Sequence, residues 1–174
     1  MLNIFVNTWG NYNENGADGG QWLTLPMDGE ELQEALEAIA KSMGDRDPEF
    51  TIHDYEWTTD TSFREIDENE RITALNEEIQ RLDNLNAYEQ KVFSAAVECW
   101  GYKEVDLDNL DEYNLHEDIK DDYDLGYYWA VESGCYDFRN LGALSNYVDY
   151  EGFGRDIRLE SDGGHTSFGW IERC

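Results

Sequence analysis

Residues 28–43, with the sequence DGEELQEALEAIAKSM, predict a helix with one apolar face and one acidic face. The apolar side chains recur at helical spacing, at Leu32, Leu36, Ile39 and Met43. Glutamates occupy the opposite face, at Glu30, Glu34 and Glu37. Asp28 or Gly29 begins this helix, and Gly44 ends it. The stretch is therefore the helical part of a small folded unit.

The segments around this helix have the pattern of strands. They are residues 2–9 (LNIFVNTW), 21–25 (QWLTL) and 50–57 (FTIHDYEW), with a loop rich in Gly and Asn over residues 10–20. In the first segment, Ile4 and Val6 share one face, and Phe5 lies on the other. We therefore predict that residues 1–61 form an N-terminal α+β domain, with a small antiparallel sheet and one helix.

From residue 62 the pattern becomes helical. Residues 69–85 carry a continuous apolar seam, and residues 86–100 carry a wide apolar arc that Gly101 ends. Two adjacent helices of this kind pack as a short hairpin. We therefore predict a helical domain, a small bundle, over residues 62–103.

Residues 104–174 predict an α+β C-terminal domain. Their first part, residues 104–124, holds ten carboxylates and one base. Interleaved apolar residues argue against a disordered tail and predict short helices, followed by helical turns over 125–131 and 141–148. Residues 165–171 predict a strand after a turn at Gly163–Gly164. The predicted fold is thus an elongated chain of three small domains with a very acidic surface.

Charge is the strongest signal in the sequence. The chain has 40 Asp and Glu against 12 Lys and Arg, a formal net charge of −28. Such repulsion destabilises a compact state, so a function or a habitat has to compensate for it. Nucleic acid and anionic membranes are poor direct partners, whereas a basic protein surface is a good one. No segment predicts a membrane span or a leader, so we expect the cytoplasm.

The sequence contains no motif that predicts catalysis or a cofactor. The three histidines lack ligand spacing, and the three widely spaced cysteines favour reduced, structural thiols. Residues 121–132 have the outline of a calcium loop, but Tyr123 and Leu125 stand where carboxylate ligands are needed. We therefore predict a protein that is not an enzyme and that binds no cofactor and no metal.

The acidic segments suit imitation of DNA instead. B-DNA carries one negative charge per roughly 1.7 Å of axis, so a charge of −28 matches about 48 Å of duplex. Carboxylates three or four residues apart on a helix have Cβ atoms about 5–6 Å apart, which resembles the spacing along a phosphate strand. A DNA-binding groove lined with Lys and Arg could accept them. The candidate carboxylates are Glu30, Glu34, Glu37, Glu70, Glu77, Asp106, Asp108, Asp111, Glu112, Glu117, Asp118, Asp121, Asp122 and Asp124.

Charge alone leaves other interpretations open. Acidic helical faces are usually only solvated. A halophilic protein of unrelated function has the same composition, and an acidic structural protein could bind calcium or other cations. A hydrolase with a carboxylate pair is a further class, although pairs are so numerous here that they carry no specificity.

Three segments of the chain resemble a known family. Residues 4–10 (IFVNTWG), followed by Tyr12-Asn13 and by residues 20–23 (GQWL), look like the opening of ArdA-type antirestriction proteins. Residues 50–56 (FTIHDYE) resemble a second family segment, and residues 146–157 (NYVDYEGFGRDI) closely resemble a third. The three matches come in the family order.

The resemblance implies a protein that imitates DNA and consists of three small domains. It also implies a homodimer whose two copies are joined near their C-terminal domains. Such proteins occupy the DNA site of type I restriction–modification enzymes and block restriction, and often modification, without a cofactor. They are carried by plasmids, conjugative transposons and phages, which places them in the host bacterial cytoplasm. No direct binding to nucleic acid or membrane is implied.

The third matched segment also has a structural interpretation. Its motif residues are Asp149, Tyr150, Glu151, Gly154, Arg155 and Asp156. Because Arg prefers bidentate carboxylate partners, we predict that Arg155 forms an ion pair that fixes the C-terminal domain.

Overall fold

The computed structural model describes residues 1–58, 64–136 and 138–174. These form two compact units, Met1–Leu85 and Asn86–Cys174. Each unit contains a three-stranded antiparallel sheet with helices, so the predicted α+β class is confirmed. The division into three domains stays a prediction, because its boundary at 61/62 lies outside the described residues. Its second boundary, at 103/104, lies within the second unit.

The sheet of the first unit consists of β1 (Leu2–Thr8), β2 (Gln21–Leu25) and β3 (Phe50–Trp57) in the order β2-β1-β3. All three strands were predictable because their side chains alternate between core and outer face. Leu2, Ile4 and Val6 are fully buried on the core face, whereas Phe5 lies on the outer face, as expected.

The segment after β1 is a helix where the sequence predicts a loop. Helix α1 spans Trp9–Asn15 and ends at Gly16, whose φ is 66°. It forms because the side chain of Thr8 caps it by accepting a hydrogen bond from the amide of Asn11. The glycines and asparagines of this segment thus do not prevent a helix, and Gly16 ends it.

Two longer helices contact this sheet. Helix α2 (Gly29–Met43) has the predicted bounds, with Asp28 as N-cap and Gly44 in the left-handed conformation after its last turn. Helix α3 (Ile72–Asp83) buries its seam, and Asn76 on that seam bonds both backbone polar groups of Met27. The side chain donates to the carbonyl at 2.9 Å and accepts from the amide at 2.8 Å.

The second unit begins with α4 (Ala87–Trp100), which Asn86 and Glu89 start with a capping box. Helix α3 belongs to the first unit and α4 to the second, so the predicted pairing of the two as a hairpin stays a prediction. Each of them packs on the sheet of its own unit. Residues Val92, Ala95 and Ala96 of α4 thus bury the core side of the second sheet.

The second sheet has the order β4-β6-β5, with β4 at Tyr113–His116, β5 at Gly163–Thr166 and β6 at Gly169–Arg173. The sequence misses β4 and treats the hairpin of β5 and β6 as a single strand after a glycine turn. Gly163 is instead the first residue of β5, and a Cβ there would stand 2.6 Å from the carbonyl oxygen of Ile171. A glycine is needed here because the neighbouring strand approaches the backbone closely, and not because the chain turns.

Two helices and several short turns complete the second unit. Helix α5 (Asp122–Tyr127) continues into a π turn at Tyr128–Glu132, and α6 spans Tyr150–Glu160. Short 3-10 turns lie at Tyr102–Glu104 and Leu110–Glu112, and Phe138–Tyr147 holds two 3-10 segments separated by a kink at Gly142. No helix in the described ranges has the length and apolar character needed to cross a bilayer.

Candidate protein-binding surface

Negative charge is spread over both units. The segment of the first unit has 20 acidic and 5 basic residues, and that of the second has 20 and 7. The first 40 residues contain no Lys or Arg at all. Neither unit alone therefore accounts for the acidity of the chain.

Most of the candidate carboxylates lie on the surface. The exposed ones are Glu30, Glu34, Glu37, Glu77, Asp106, Asp108, Asp111, Glu112, Glu117, Asp118 and Asp121. Those on α2 form a row, because Glu30, Glu34 and Glu37 are separated by one helical turn each. They are turned away from the buried Leu32 and Leu36, so the core packing of α2 fixes the direction in which they point.

Three of the candidates are only partly exposed, and each is bound to a neighbour. Glu70 pairs with Arg64, Asp122 pairs with Arg158, and Asp124 accepts a hydrogen bond from the amide of Lys120 at 3.0 Å. Their charges are thus largely used within the fold. Sequence patterns could not identify these pairs, because the partners of Glu70 and Asp122 are not spaced as helical neighbours. Among the exposed candidates, Glu117 also forms an ion pair, with Lys91 at 2.6 Å.

Arg64 is held between two carboxylates. Its guanidinium bonds both oxygens of Glu70 and both oxygens of Glu78, the latter at 3.0 and 2.9 Å. Burial by itself lowers the pKa of Arg64, but the hydrogen bonds and charges of Glu70 and Glu78 outweigh it and raise that pKa. The cluster ties the segment before α3 to the helix itself.

Asp122 is the centre of a corresponding cluster in the second unit. Its carboxylate accepts two hydrogen bonds from Arg158 of α6, at 2.8 and 3.0 Å, and lies 3.0 Å from Nε2 of His165 on β5. The hydrogen bonds from Arg158, with a smaller contribution from His165, lower the pKa of Asp122 to about 2. The same contact raises the pKa of Arg158. One carboxylate thus joins α5, α6 and the second sheet.

The residues of the motif at 149–156 act mainly in the fold. Asp149 caps α6 by accepting from the amide of Gly152, and Tyr150 packs edge-on against Tyr123 and Tyr127. Gly154 is the point where α6 touches α5, and it is buried there. Glu151 and Asp156 are exposed.

The prediction for Arg155 is wrong. Its side chain is 59% exposed, and its ion pair is a 3.8 Å contact with the neighbouring Asp156. The arginine that fixes this unit is Arg158, one helical turn later, because that position of α6 faces α5. A sequence rule that looks for arginine among acids cannot distinguish the two positions.

Exposed aspartates also cap helices. Asp28 accepts from the amide of Glu30 at the start of α2, and Asp121 accepts from the amide of Asp124 at the start of α5. Asp106 caps a turn in the same way, by accepting from the amide of Asp108. These carboxylates remain at the surface while they satisfy backbone amides.

The cleft beside Asp122 combines carboxylates, an imidazole and cationic side chains. It has a volume of about 720 Å³ and its lining includes Lys120, Glu151 and His165. No Ser, Thr or Cys belongs to this lining, and Asp122 is held as an anion by Arg158. The lining therefore offers no hydroxyl or thiol of Ser, Thr or Cys for covalent catalysis.

Metal ligands do not converge in the part of the chain that the structure describes. The segment 121–132, rejected as a calcium loop, is helical, and Asp121 is used as its cap. All three cysteines are free, as expected. Cys135 and Cys174 are exposed, however, so neither has the buried position of a structural thiol.

The sequence of the whole chain was compared with known families and proteins. The family model described as antirestriction protein (ArdA) matches residues 4–172. The chain belongs to the ArdA family. The match to ArdA runs through both compact units, so the family assignment covers residues 62–140, where motifs alone give no alignment. A search of the curated proteins found no match. As a member of the ArdA family, the protein has an antirestriction function, and restriction enzymes are the class of target.

Proposed function

We propose that the protein is a DNA mimic that binds the DNA-binding groove of a type I restriction–modification enzyme and thereby inhibits restriction. It acts by occupying the groove and catalyses no reaction. It works as a homodimer in the cytoplasm of the host bacterium, where it protects an incoming mobile genetic element.

The observation that carries this proposal is the placement of the exposed carboxylates. The row on α2 keeps a spacing of about 5–6 Å between Cβ atoms, and further acids follow at Asp106–Glu112 and at Glu117–Asp121. The row on α2 and the row at Asp106–Glu112 contain no Lys or Arg, whereas Lys120 lies within the third row and Lys91 pairs with its Glu117. A groove that neutralises phosphates with Lys and Arg would gain the same charge contacts from this surface.

An apolar surface in the second unit supports the homodimer. We call it the tyrosine surface. Tyr123, Tyr127, Val131 and Tyr136 line one cleft together with the segment 142–148, which carries Leu144 and Tyr147. These six side chains define the surface, and each is at least 37% exposed. Leu144 and Tyr147 are 64% and 85% exposed, which is costly for large apolar side chains that remain in water. Surfaces of this kind mark protein interfaces, and a second copy of the chain is the partner that the family suggests.

A competition experiment tests the proposal. A fluorescent target duplex is bound to a purified type I enzyme, the protein is added, and anisotropy is followed at two salt concentrations. We expect displacement near stoichiometric amounts that weakens at the higher salt, because the contacts are ionic. Polyglutamate of equal total charge is the control, since it has the charge without the fixed spacing. Displacement by polyglutamate at the same concentration, or none by the folded protein, would contradict the proposal.

A further inference from the structure

The outer face of the first sheet carries an exposed tryptophan. Trp22 on the edge strand β2 is 52% exposed, whereas the other strand residues of similar size face the core or are partly covered. Part of this outer face is covered by α1, whose Tyr12 stacks on His53 at 3.9 Å between ring centroids. Trp22 lies on the part that α1 leaves open.

Trp22 belongs to a row of side chains that crosses the sheet. The strand register places Trp22 opposite Phe5 and Phe5 opposite Asp54, so that all three share one face. The rings of Trp22 and Phe5 are 5.4 Å apart and tilted by 54°. The row therefore ends in an aromatic pair on one side and an exposed carboxylate on the other, whose Oδ1 accepts a hydrogen bond from the amide of Tyr55 at 2.8 Å.

The position of the aromatic pair is fixed by its neighbours. The ring of Phe5 covers Gly20, where an added Cβ would stand 2.5 Å from the ring. Any larger residue at 20 would displace Phe5 and with it the support of Trp22. An exposed indole that is held rigidly in this way loses little conformational freedom when a partner covers it.

The charge of this face is uniformly negative. The next row on the same face consists of Thr24, Asn3 and Glu56, and both Asp54 and Glu56 are exposed. None of the three strands contains a Lys or Arg. A partner that covers Trp22 is therefore met by an electron-rich ring and two carboxylates, which together fit a guanidinium group.

We propose that this face, defined by Trp22, Phe5, Asp54 and Glu56, is a docking site for an arginine of the partner's cationic surface. The guanidinium stacks on the ring of Trp22, and the carboxylates of Asp54 and Glu56 on the same face attract its charge. This rests on the proposed function, because the cationic surface is that of the restriction enzyme. It adds an aromatic anchor to a mode of binding that otherwise depends on charge alone.

The test uses the competition assay with variants of the full chain. Trp22→Ala is expected to weaken displacement by roughly tenfold, the effect of one central contact residue. Trp22→Leu, which keeps an apolar side chain without the ring, is expected to lose as much, and Trp22→Phe less. Tyr88→Ala is the matched control, since Tyr88 is 51% exposed and lies in the other unit. It is expected to leave displacement unchanged.

A second variant protects the test against loss of folding. Asp54→Asn with Glu56→Gln leaves both rings in place and is expected to weaken displacement severalfold. Unchanged displacement by Trp22→Ala, or full activity of Trp22→Leu, overturns the proposal while the proposed function stands. A change of dimer mass in Trp22→Ala also overturns it, because the face would then belong to the second copy. Failure of the unaltered protein to displace the duplex would instead count against the proposed function.

Discussion

Gly126 and Gly154 meet where α5 and α6 touch. A Cβ on Gly154 would stand 2.6 Å from the amide nitrogen of Gly126, and one on Gly126 would stand 2.8 Å from that of Gly154. Both distances are too short for any side chain. The two helices are therefore joined backbone to backbone at this point, and the contact positions Arg158 one turn further along α6.

Gly154→Ala is expected to destabilise the second unit by about 1–3 kcal/mol or more, because the obstructing atoms belong to the backbone. The measurement is chemical denaturation followed by circular dichroism. Gly29→Ala is the control, since an added Cβ there meets no atom within 4 Å. Equal stability of the two variants would show that α5 and α6 do not pack this closely.

Asp122→Asn tests the cluster at the centre of the second unit. The pKa of Asp122 is lowered from 3.8 to about 2 by Arg158 and His165, so its ionised form favours the folded state. Above pH 5 the native chain should be more stable than the variant by about 1–2 kcal/mol, after allowance for solvent screening. This difference should shrink as the pH falls from about 4 to about 2. A difference that grows on acidification would contradict the assignment.

Asn76→Ala tests the link between α3 and the segment after β2. The substitution removes both hydrogen bonds to Met27 and should cost about 1–3 kcal/mol. Thr73→Ala, at an exposed position of the same helix, should stay within about 0.5 kcal/mol of the native value. Thermal unfolding of the two variants side by side provides the comparison.

Glu30→Gln, Glu34→Gln and Glu37→Gln, combined in one chain, should leave the helix intact, since Gln and Glu have similar helix propensities. The triple variant should displace the duplex severalfold less well, and each single change should have little effect. Gln33→Glu adds a carboxylate to the exposed part of the same helix and should strengthen displacement. The idea fails if a single change abolishes activity in a folded chain, because the interface would then depend on one contact.

Leu144→Asp with Tyr147→Asp tests the tyrosine surface. Burying two carboxylates in an apolar interface is costly, so the variant should be monomeric where the native chain is a dimer. Light scattering after size exclusion gives the mass. Tyr88→Asp introduces a charge at an exposed position outside that surface and should leave the mass unchanged.

The sequence predicts the first unit well because its apolar periodicities are long and unbroken. The alternation of Ile4, Phe5 and Val6 shows which face of β1 is buried. The spacing of the apolar residues from Leu32 to Ile39 does the same for α2. It misses α1, because the cap by Thr8 depends on a single side chain, and it misses β4, whose four residues stand among acids. Short elements are held by contacts from distant residues, such as that of Leu115 with Ile171, and such contacts leave no local pattern.

For the candidate surface, composition predicts acidity but not which carboxylates are free. Asp122 and Asp121 are neighbours in the sequence, yet one is bound by Arg158 and the other is exposed. The role of Trp22 is equally invisible in composition, because it depends on the strand register that brings Asp54 to the same face. Pairings across 30 residues or more need the fold itself.

The capping aspartates and the glutamates of α2 should change at different rates during the evolution of related chains. Asp28, Asp121 and Asp149 satisfy backbone amides that Glu reaches poorly, so descendants should retain Asp or exchange it for Asn, Ser or Thr. Glu34 and Glu37 do not cap a helix. Related chains can therefore carry other residues at these two positions, or carboxylates at neighbouring positions, as long as the number of charges in the row is kept. Among related chains, we therefore expect a short capping side chain to be conserved at the helix starts, whereas along α2 only the number of carboxylates should be conserved.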